Sequence, residues 1–325
     1  MSMIRNTVMM VLAVGLLASC IKDELPVPRA DRGGARDVQV CVGPDYGDQV
    51  WYDIGTNTIA ARNSRMDWCL AFAGAADGWD IRLNGARFMH AKATGQADIT
   101  LPTDTTGYGP HWRVDHNEGA VDSTAIGDWR NSDEVYVIDL GVNAFGASLG
   151  FRKLKVLSYD AASYVIQTAM LNGTNVQQYT VQKDPTRKYV HFSLRSGQQV
   201  DIAPPDGSYD LVFTQYTYQF YDPYMAYMVT GAVNGFSGLR VAELTTDDFL
   251  SVTLDDTLAH PFSTAEDAIG YDWKEYSFET SSYVIYPEKV FIVQDREGFF
   301  FKLHFIDFYN ENGQRGCPRF EVVEL

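Results

Sequence analysis

Apolar and polar residues alternate with a period of two in several short segments, which is typical of half-buried β-strands. The clearest segments are Val135 to Ile138, Tyr283 to Ile285 and Phe300 to Phe305. Clusters of Gly with Asp or Asn, such as Asp295 to Gly298 and Asn310 to Gly313, predict hairpin turns between strands. Long helical periodicity is nearly absent. The pattern therefore predicts a mostly β fold of antiparallel strands.

The strand-like segments also recur along the chain. Five blocks are repeated in the same order: 52–54 as 192–194, 68–72 as 209–213, 125–130 as 268–274, 135–138 as 290–293, and 151–154 as 300–303. The difference in residue number between matching positions begins at 140, rises to 155 and returns to 149. A match of this quality arises easily once by chance, but not five times in order. The sequence therefore predicts two related β-rich units in tandem, residues 37–172 and 173–325.

Composition and charge narrow the class of protein. Hydrophobic residues make up 46% of the chain and charged residues 21%, so it can bury a sizeable core. Aromatic residues, at 13%, suit pleated strands. The net charge of −16 argues against binding to nucleic acid through its phosphates, and an anionic ligand would require a local basic patch.

The N-terminus carries a secretory signal, predicted over residues 1–19. Arg5 precedes the run Val8 to Leu17, which is entirely apolar or Gly and too short to span a bilayer. The sequence Leu-Ala-Ser-Cys ending at Cys20 resembles the lipobox of bacterial lipoproteins, which implies lipidation of the Cys20 thiol. The alternative is an ordinary cleavage site with a chance cysteine. Residues 20–36 are then a lipidated flexible linker.

The charged residues that follow Cys20 indicate where the protein is located. Lys22-Asp23-Glu24 resembles the signal that directs Bacteroidetes lipoproteins to the cell surface. Any solvated linker can also carry such charges. The expected location is the outer membrane, with the protein lipid-anchored at the cell surface.

The second repeat, and more loosely the first, resembles a known family. The segments 189–202 and 209–216 carry the resemblance, together with a closing pattern that includes Gly298, Lys302, Gly316 and Phe320. In the first repeat, the tryptophan-led segments 68–72 and 79–84 match. These features resemble the HmuY family of Bacteroidetes surface lipoproteins, and they cover nearly the whole chain after the linker. The resemblance implies a surface protein that collects haem for a TonB-dependent outer-membrane transporter.

The positions that hold the iron ligands in this family match the sequence less clearly than its strands do. In the best-known branch of the family, a histidine follows a Trp-x-Glu-aromatic-Ser segment, but here Phe278 follows residues 273–277. Relatives that use methionine suggest other ligands, because thioethers also bind haem iron. Met225 and Met228 lie in a tyrosine-rich stretch that we interpret as a loop, and His260 lies where the family places its first ligand. We predict these three as ligand candidates, with pocket candidates Tyr216, Tyr218, Tyr224, Tyr227 and Phe278.

The remaining histidines and cysteines suggest structural roles. His191 and His304 lie within strand-like segments, and His111 and His116 lack a third metal ligand at suitable spacing. His90, which follows Met89, is left unassigned. Cys41, Cys69 and Cys317 permit one disulfide in three possible pairings and leave one thiol over; a buried apolar role is the default expectation for Cys317.

Two other classes of function are open. The chain has no nucleophile elbow, phosphate loop, zinc-protease helix or dinucleotide fingerprint, so we predict that it is not an enzyme. A hydrolase that uses scattered carboxylates is the least favoured alternative. A protein with the HmuY fold that has lost haem could instead present its aromatic residues as an interaction or carbohydrate-binding surface.

Overall fold

The computed structural model describes residues 34–107, 109, 112–235 and 238–325. Residues Gly34–Leu325 form one compact unit. The predicted signal peptide, Cys20, most of the linker and His111 lie outside the described residues. No helix within the described ranges is long and apolar enough to cross a membrane.

Antiparallel β-strands dominate the described chain, as the alternating pattern predicted. They are β1 (Arg36–Gln39), β2 (Asp48–Asp53), β3 (Thr58–Ser64), β4 (Leu70–Ala73), β5 (Ile81–Leu83), β6 (His90–Ala93), β7 (Val135–Asp139), β8 (Phe151–Tyr159), β9 (Ser163–Ala169), β10 (Gln177–Gln182), β11 (Tyr189–Ser193), β12 (Gln198–Val200), β13 (Leu211–Tyr221), β14 (Tyr224–Asn234), β15 (Arg240–Thr245), β16 (Lys274–Ser277), β17 (Ser282–Ile285), β18 (Lys289–Gln294), β19 (Phe300–Tyr309) and β20 (Arg315–Glu324). Short 3-10 helices occupy Gly85–Arg87, Phe249–Ser251 and Leu254–Leu258. The predicted mostly β, antiparallel fold is confirmed.

The strands form five sheets, and the four larger ones occur as two similar pairs. Two five-stranded sheets have the orders β1-β20-β19-β18-β15 and β10-β9-β8-β7-β6. Two four-stranded sheets have the orders β3-β2-β13-β14 and β12-β11-β4-β5. The fifth sheet is the hairpin β16-β17. Strands that match one another in the sequence repeats also occupy equivalent positions in the two sheets of a pair.

Two hydrophobic cores lie within these sheets. One core is built from residues between Cys69 and Phe192, all contributed by one continuous stretch of chain. The other combines residues between Val38 and Ile54 with residues between Leu211 and Val322. A smaller cluster that includes Trp51, Trp68 and Tyr209 is formed by residues from both stretches.

The cores therefore divide the chain at different places from the predicted boundary at 172/173. That boundary falls between β9 and β10, which pair over six residues within one sheet. A repeated sequence fixes the spacing between equivalent residues, but not the residue at which a folded unit begins. The structure closes one core by pairing the N-terminal strands with C-terminal ones, as β1 pairs with β20 and β2 with β13.

A disulfide covalently joins the two ends of this arrangement. Cys41, two residues after the end of β1, is bonded to Cys317 of β20, and their separation along the chain is 276 residues. Cys317 is buried, as expected, but as a disulfide partner. Cys69 is the free, buried thiol among the described residues. The described cysteines therefore form one disulfide and leave one free thiol, as expected from their number.

Candidate functional site

The predicted tyrosine and methionine cluster lies on the hairpin β13–β14, and not in a loop. Cross-strand partners, which share a face of the sheet, include Tyr218 with Tyr227, Phe220 with Met225, and Thr217 with Met228. Side chains alternate between the two faces along each strand. One face therefore carries Tyr216, Tyr218, Met225 and Tyr227, and the other carries Tyr224 and Met228. The structure separates the two predicted thioether ligands onto opposite faces.

Two further predicted residues lie away from this hairpin. His260 is exposed just after the 3-10 helix Leu254–Leu258, where its backbone N–H donates to the carbonyl of Asp256 at 3.1 Å. Phe278 is 89% exposed at the turn between β16 and β17, edge-on to Tyr276 with ring centroids 5.3 Å apart. Neither side chain lines a described cavity together with Met225 or Met228.

A cleft opens between the end of this hairpin and the segment 112–116. It consists of two adjoining hollows of about 260 and 170 Å³ that share Val114, Gln219 and Tyr224. The larger hollow is also bordered by His90, Gly109, Trp112, Asp139, Met225 and Ala226. The smaller hollow is also bordered by Arg113, His116, Ser123 and Tyr221. Five of these thirteen residues carry an aromatic or imidazole ring: His90, Trp112, His116, Tyr221 and Tyr224.

Hydrogen bonds to the neighbouring sheet hold segment 112–116 in place. Arg113 exchanges two backbone hydrogen bonds of 2.9 Å with Ala91 of β6. The carboxylate of Asp115 accepts from the backbone N–H groups of Leu83 at 2.7 Å and Ala125 at 2.8 Å. Burial raises the pKa of Asp115 to about 6, although Arg82 and the two hydrogen bonds act in the opposite direction. The segment is thus a fixed wall of the cleft.

His90 is the imidazole best placed to bind a ligand in the cleft. It is the first residue of β6, and the next residue, Ala91, points into the core, so the His90 ring faces outward. The ring meets Phe88 edge-on at 4.7 Å and Trp112 at 6.5 Å between centroids. Burial lowers the pKa of His90, against the effects of nearby Asp139 and a hydrogen bond to the backbone of Phe88. The lowered pKa favours the neutral imidazole at pH 7.

His116 has a different hydrogen-bonding state. Its Nδ1 accepts the backbone N–H of Glu118 at 3.3 Å, so in the neutral ring the proton resides on Nε2. The ring lies 5.9 Å from that of Tyr221. His116 is suited to donate a hydrogen bond to a polar group of a ligand, whereas His90 retains an acceptor nitrogen.

The two methionines border different cavities. Met225 is 47% exposed and borders the same hollow as His90. Met228 borders a separate groove, where its Sδ accepts a 3.5 Å contact from Arg65 Nη1. The site therefore combines Met225 with His90, a residue that the sequence gave no reason to select beyond its position after Met89. No cluster of three or more His, Cys, Asp or Glu side chains suited to a metal ion occurs in the described ranges.

These features define a slot that suits a flat, apolar molecule with a metal centre. A neutral imidazole and a thioether are both ligands for haem iron and other soft transition metals. Trp112, which is stacked on Phe151 at 6.0 Å, and Tyr224 supply aromatic surface. Arg113, exposed at the rim, can pair with an anionic substituent.

Comparison with solved structures finds matches of low sequence identity that extend over most of the chain. PinO from Porphyromonas gingivitis, solved without ligand, has 8% identity and a TM-score of 0.33, with 90% of this chain and 98% of that chain covered. The apo HmuY analogue of Tannerella forsythia has 11% identity and a TM-score of 0.25, with coverages of 91% and 98%. A candidate HmuY-like haem-binding protein from Bacteroides vulgatus has 11% identity and a TM-score of 0.24, with coverages of 92% and 97%.

A search of curated protein sequences finds no match. The family model described as HmuY protein matches residues 45–322, which include every strand from β2 to β19 and most of β20. This span is far more than half of the chain, and it contains the whole of the cleft. The chain belongs to the HmuY family.

Proposed function

We propose that this protein is a cell-surface lipoprotein that binds haem or a related porphyrin and delivers it to a TonB-dependent outer-membrane transporter. The observation that carries the proposal is the cleft in which His90 and Met225 border one hollow, beside Trp112 and Tyr224. Membership of the HmuY family supports it.

The ligand chemistry fits haem iron. Imidazole and thioether groups are both ligands of haem iron, and metal-bound histidines usually have their second ring nitrogen hydrogen-bonded. The backbone of Phe88, whose influence raises the pKa of His90, can supply such a partner. Because burial lowers the pKa of His90, the ring remains an iron ligand at pH values where an ordinary histidine is partly protonated.

The size and charge of the cleft also fit. Small-molecule sites typically have volumes of about 300–1,000 Å³, and the two hollows together fall within that range. A porphyrin with two propionates needs cationic or hydrogen-bonding groups at one edge of an apolar slot. Arg113 and the Nε2–H of His116 border the smaller hollow and can serve the propionates.

An open site favours transfer of the ligand. Met225 and Tyr224, 47% and 65% exposed, lie at the tip of a hairpin that a partner can reach. An exposed Met225 would leave one side of a bound haem within reach of a partner that competes for it. The transporter and the membrane anchor at Cys20 follow from the family resemblance and the lipobox.

Haem titration of the chain from residue 21 tests the proposal. We expect a shifted Soret band under oxidised and reduced conditions, and loss of at least tenfold in affinity for His90→Ala because an iron ligand is removed. Met225→Ala should abolish the far-red band typical of thioether-bound ferric iron. The spectra should remain unchanged in Met228→Ala, whose side chain lies on the opposite face of the same strand.

His260→Ala serves as a second control, since His260 is exposed and lies outside the cleft. An unshifted Soret band in the unmodified protein would argue against haem binding altogether. In that case, glycan-array binding through the exposed Tyr221, Tyr224 and Tyr227 would support the alternative of a carbohydrate-binding surface. If His90→Ala still shifts the Soret band, haem binds at another place on the protein. That result would refute the proposed site but not the proposed function.

A further inference from the structure

A second cavity, separate from the cleft, contains a buried arginine without a counter-ion. This groove of about 490 Å³ is bordered by Pro44, Asp45, Tyr46, Arg65, Val142, Asn143, Ala144, Gly146, Gln215, Met228 and Arg315. None of these residues borders the cleft around His90. Arg65 lies one residue beyond β3 and is only 3% exposed.

All hydrogen-bond partners of Arg65 are neutral. Its Nη1 donates to the carbonyl of Ala86 at 2.6 Å and to Gln215 Oε1 at 2.5 Å, and contacts Met228 Sδ. Its Nε is buried without a partner, and no hydrogen bond from Nη2 is present among the described residues. No described carboxylate lies within 4.0 Å of the guanidinium.

A buried charge in this state is unusual. Arginine remains protonated in proteins, and buried charges are normally paired because their removal from water is costly. Burial is the main influence that lowers the pKa of Arg65, and Asp45 only partly opposes it. Asp45 is exposed and does not form an ion pair with Arg65. A protein with a net charge of −16 has many carboxylates available, yet no described carboxylate forms an ion pair with Arg65, and Asp45 is the one carboxylate that borders the groove.

Two other arginines make the surroundings more positive. Arg87 is 4% exposed, and its guanidinium donates to the carbonyls of Trp68 and Leu140, each at 2.9 Å, again without a carboxylate. Its charge lowers the pKa of Arg65, whose Nη1 donates to the carbonyl of Ala86, the residue before Arg87. Arg315 lies at the rim, with its guanidinium 5.2 Å from the centre of the Tyr46 ring. The groove is thus a local basic site on an acidic protein.

We propose that this groove binds a small organic anion whose carboxylate or phosphate group pairs with Arg65 and Arg315. A guanidinium offers two parallel N–H donors that match the oxygens of either group. Tyr46, Val142, Ala144 and Met228 provide apolar contacts for the remainder of the molecule. The volume of the groove falls in the range of small-molecule sites. It shares no bordering residue with the cleft around His90, so the proposal is independent of haem binding there.

Calorimetric titration of the full mature chain with two probes, inorganic phosphate and benzoate, tests this proposal. We expect at least one probe to bind with a dissociation constant in or below the millimolar range. Arg65→Met should weaken that binding by at least tenfold, and Arg315→Met by a smaller factor, because Arg315 is solvated. Binding of phosphate alone or of benzoate alone identifies the anionic group, and either result supports the site.

Arg62→Met is the matched control, since Arg62 is an exposed arginine of β3 that pairs with Asp48 and does not border the groove. Arg65→Lys retains the charge but not the paired donors, so it should fold and bind more weakly than the parent. If Arg65→Met fails to fold, Arg65→Lys and Arg315→Met decide the outcome. Absence of binding by both probes, or equal binding in Arg65→Lys, Arg315→Met and the parent, would overturn the proposal. Haem titration of Arg65→Lys should match the parent, which separates this site from the cleft.

Discussion

Replacing Cys41 and Cys317 by alanine tests how much stability comes from joining the two ends of the chain. The disulfide closes a loop of 276 residues. For a loop of that length, the chain-entropy expression gives about 5.6 kcal/mol, and measured losses for native disulfides are usually about 2–5 kcal/mol. We therefore expect the double variant to lose between about 2 and 5.6 kcal/mol of unfolding free energy. For a chain of this size, that loss lowers the melting temperature by roughly 4–10 °C.

The native contacts around the bond should survive its removal. Val40 N–H donates to the carbonyl of Pro318 at 2.9 Å, Val42 N–H donates to that of Gly316 at 2.8 Å, and β1 remains paired with β20. The loss should therefore act mainly through the greater freedom of the unfolded chain. Alanine is preferred to serine because Cys317 is buried and a hydroxyl there would need a partner.

Denaturant unfolding, followed by tryptophan fluorescence in a Cys69→Ala background, measures the effect without thiol exchange. Adding reductant to the parent should produce the same loss, whereas the double variant should be insensitive to reductant. A change below about 1 kcal/mol in both comparisons would refute the reasoning from loop closure. A loss seen in the double variant but not on reduction of the parent would instead indicate a packing defect.

Three further outcomes follow from buried titratable groups. Burial lowers the pKa of Lys274 to about 7. Between pH 7 and 9.5 the unfolded chain therefore binds more protons than the folded protein, and the free energy of unfolding rises with pH. In urea titrations, Lys274→Met should remove about 3 kcal/mol of that rise. Lys153→Met and Lys302→Met each leave two backbone carbonyls without a donor, and urea unfolding should show similar losses of about 1–3 kcal/mol for both. Because burial lowers the pKa of His90, haem affinity measured by Soret titration should fall less between pH 7 and 6 than an ordinary histidine ligand would allow.

Local patterns predicted much of the secondary structure. The alternating segments became β7, β17 and β19, and the glycine clusters at 295–298 and 310–313 became the turns that precede and follow β19. These features depend on neighbours in sequence, which is why a single chain reveals them. From sequence, the stretch around Met225 is interpreted as a loop that follows the aromatic strand 216–220. It is strand β14, since pairing with the whole length of β13 decides its conformation.

The site was less predictable because it depends on long-range contacts. Met225 was selected by its chemistry, but His90, its partner in the cleft, is 135 residues earlier in the chain, and only the fold places both beside Trp112. The special feature of Arg65 is that no carboxylate of the described chain forms an ion pair with it, although Asp45 borders the same groove. Sequence shows which charged residues exist, but not which of them are left without a partner when the chain folds.

The repeats lead to a last prediction, about where the folding units begin. We propose that the chain contains a duplicated unit whose boundaries follow the cores, so that residues 66–205 form one unit and the two terminal stretches together form the other. One core draws all its buried residues from between Cys69 and Phe192, and β4 to β12 form its two sheets without other strands. The fragment 66–205 should therefore unfold cooperatively in urea with a far-ultraviolet spectrum typical of β structure. The fragment 37–172 should not, because it contains β2 without β13 and β4 without β11. Cooperative unfolding of 37–172 but not of 66–205 would place the boundary at 172/173 after all.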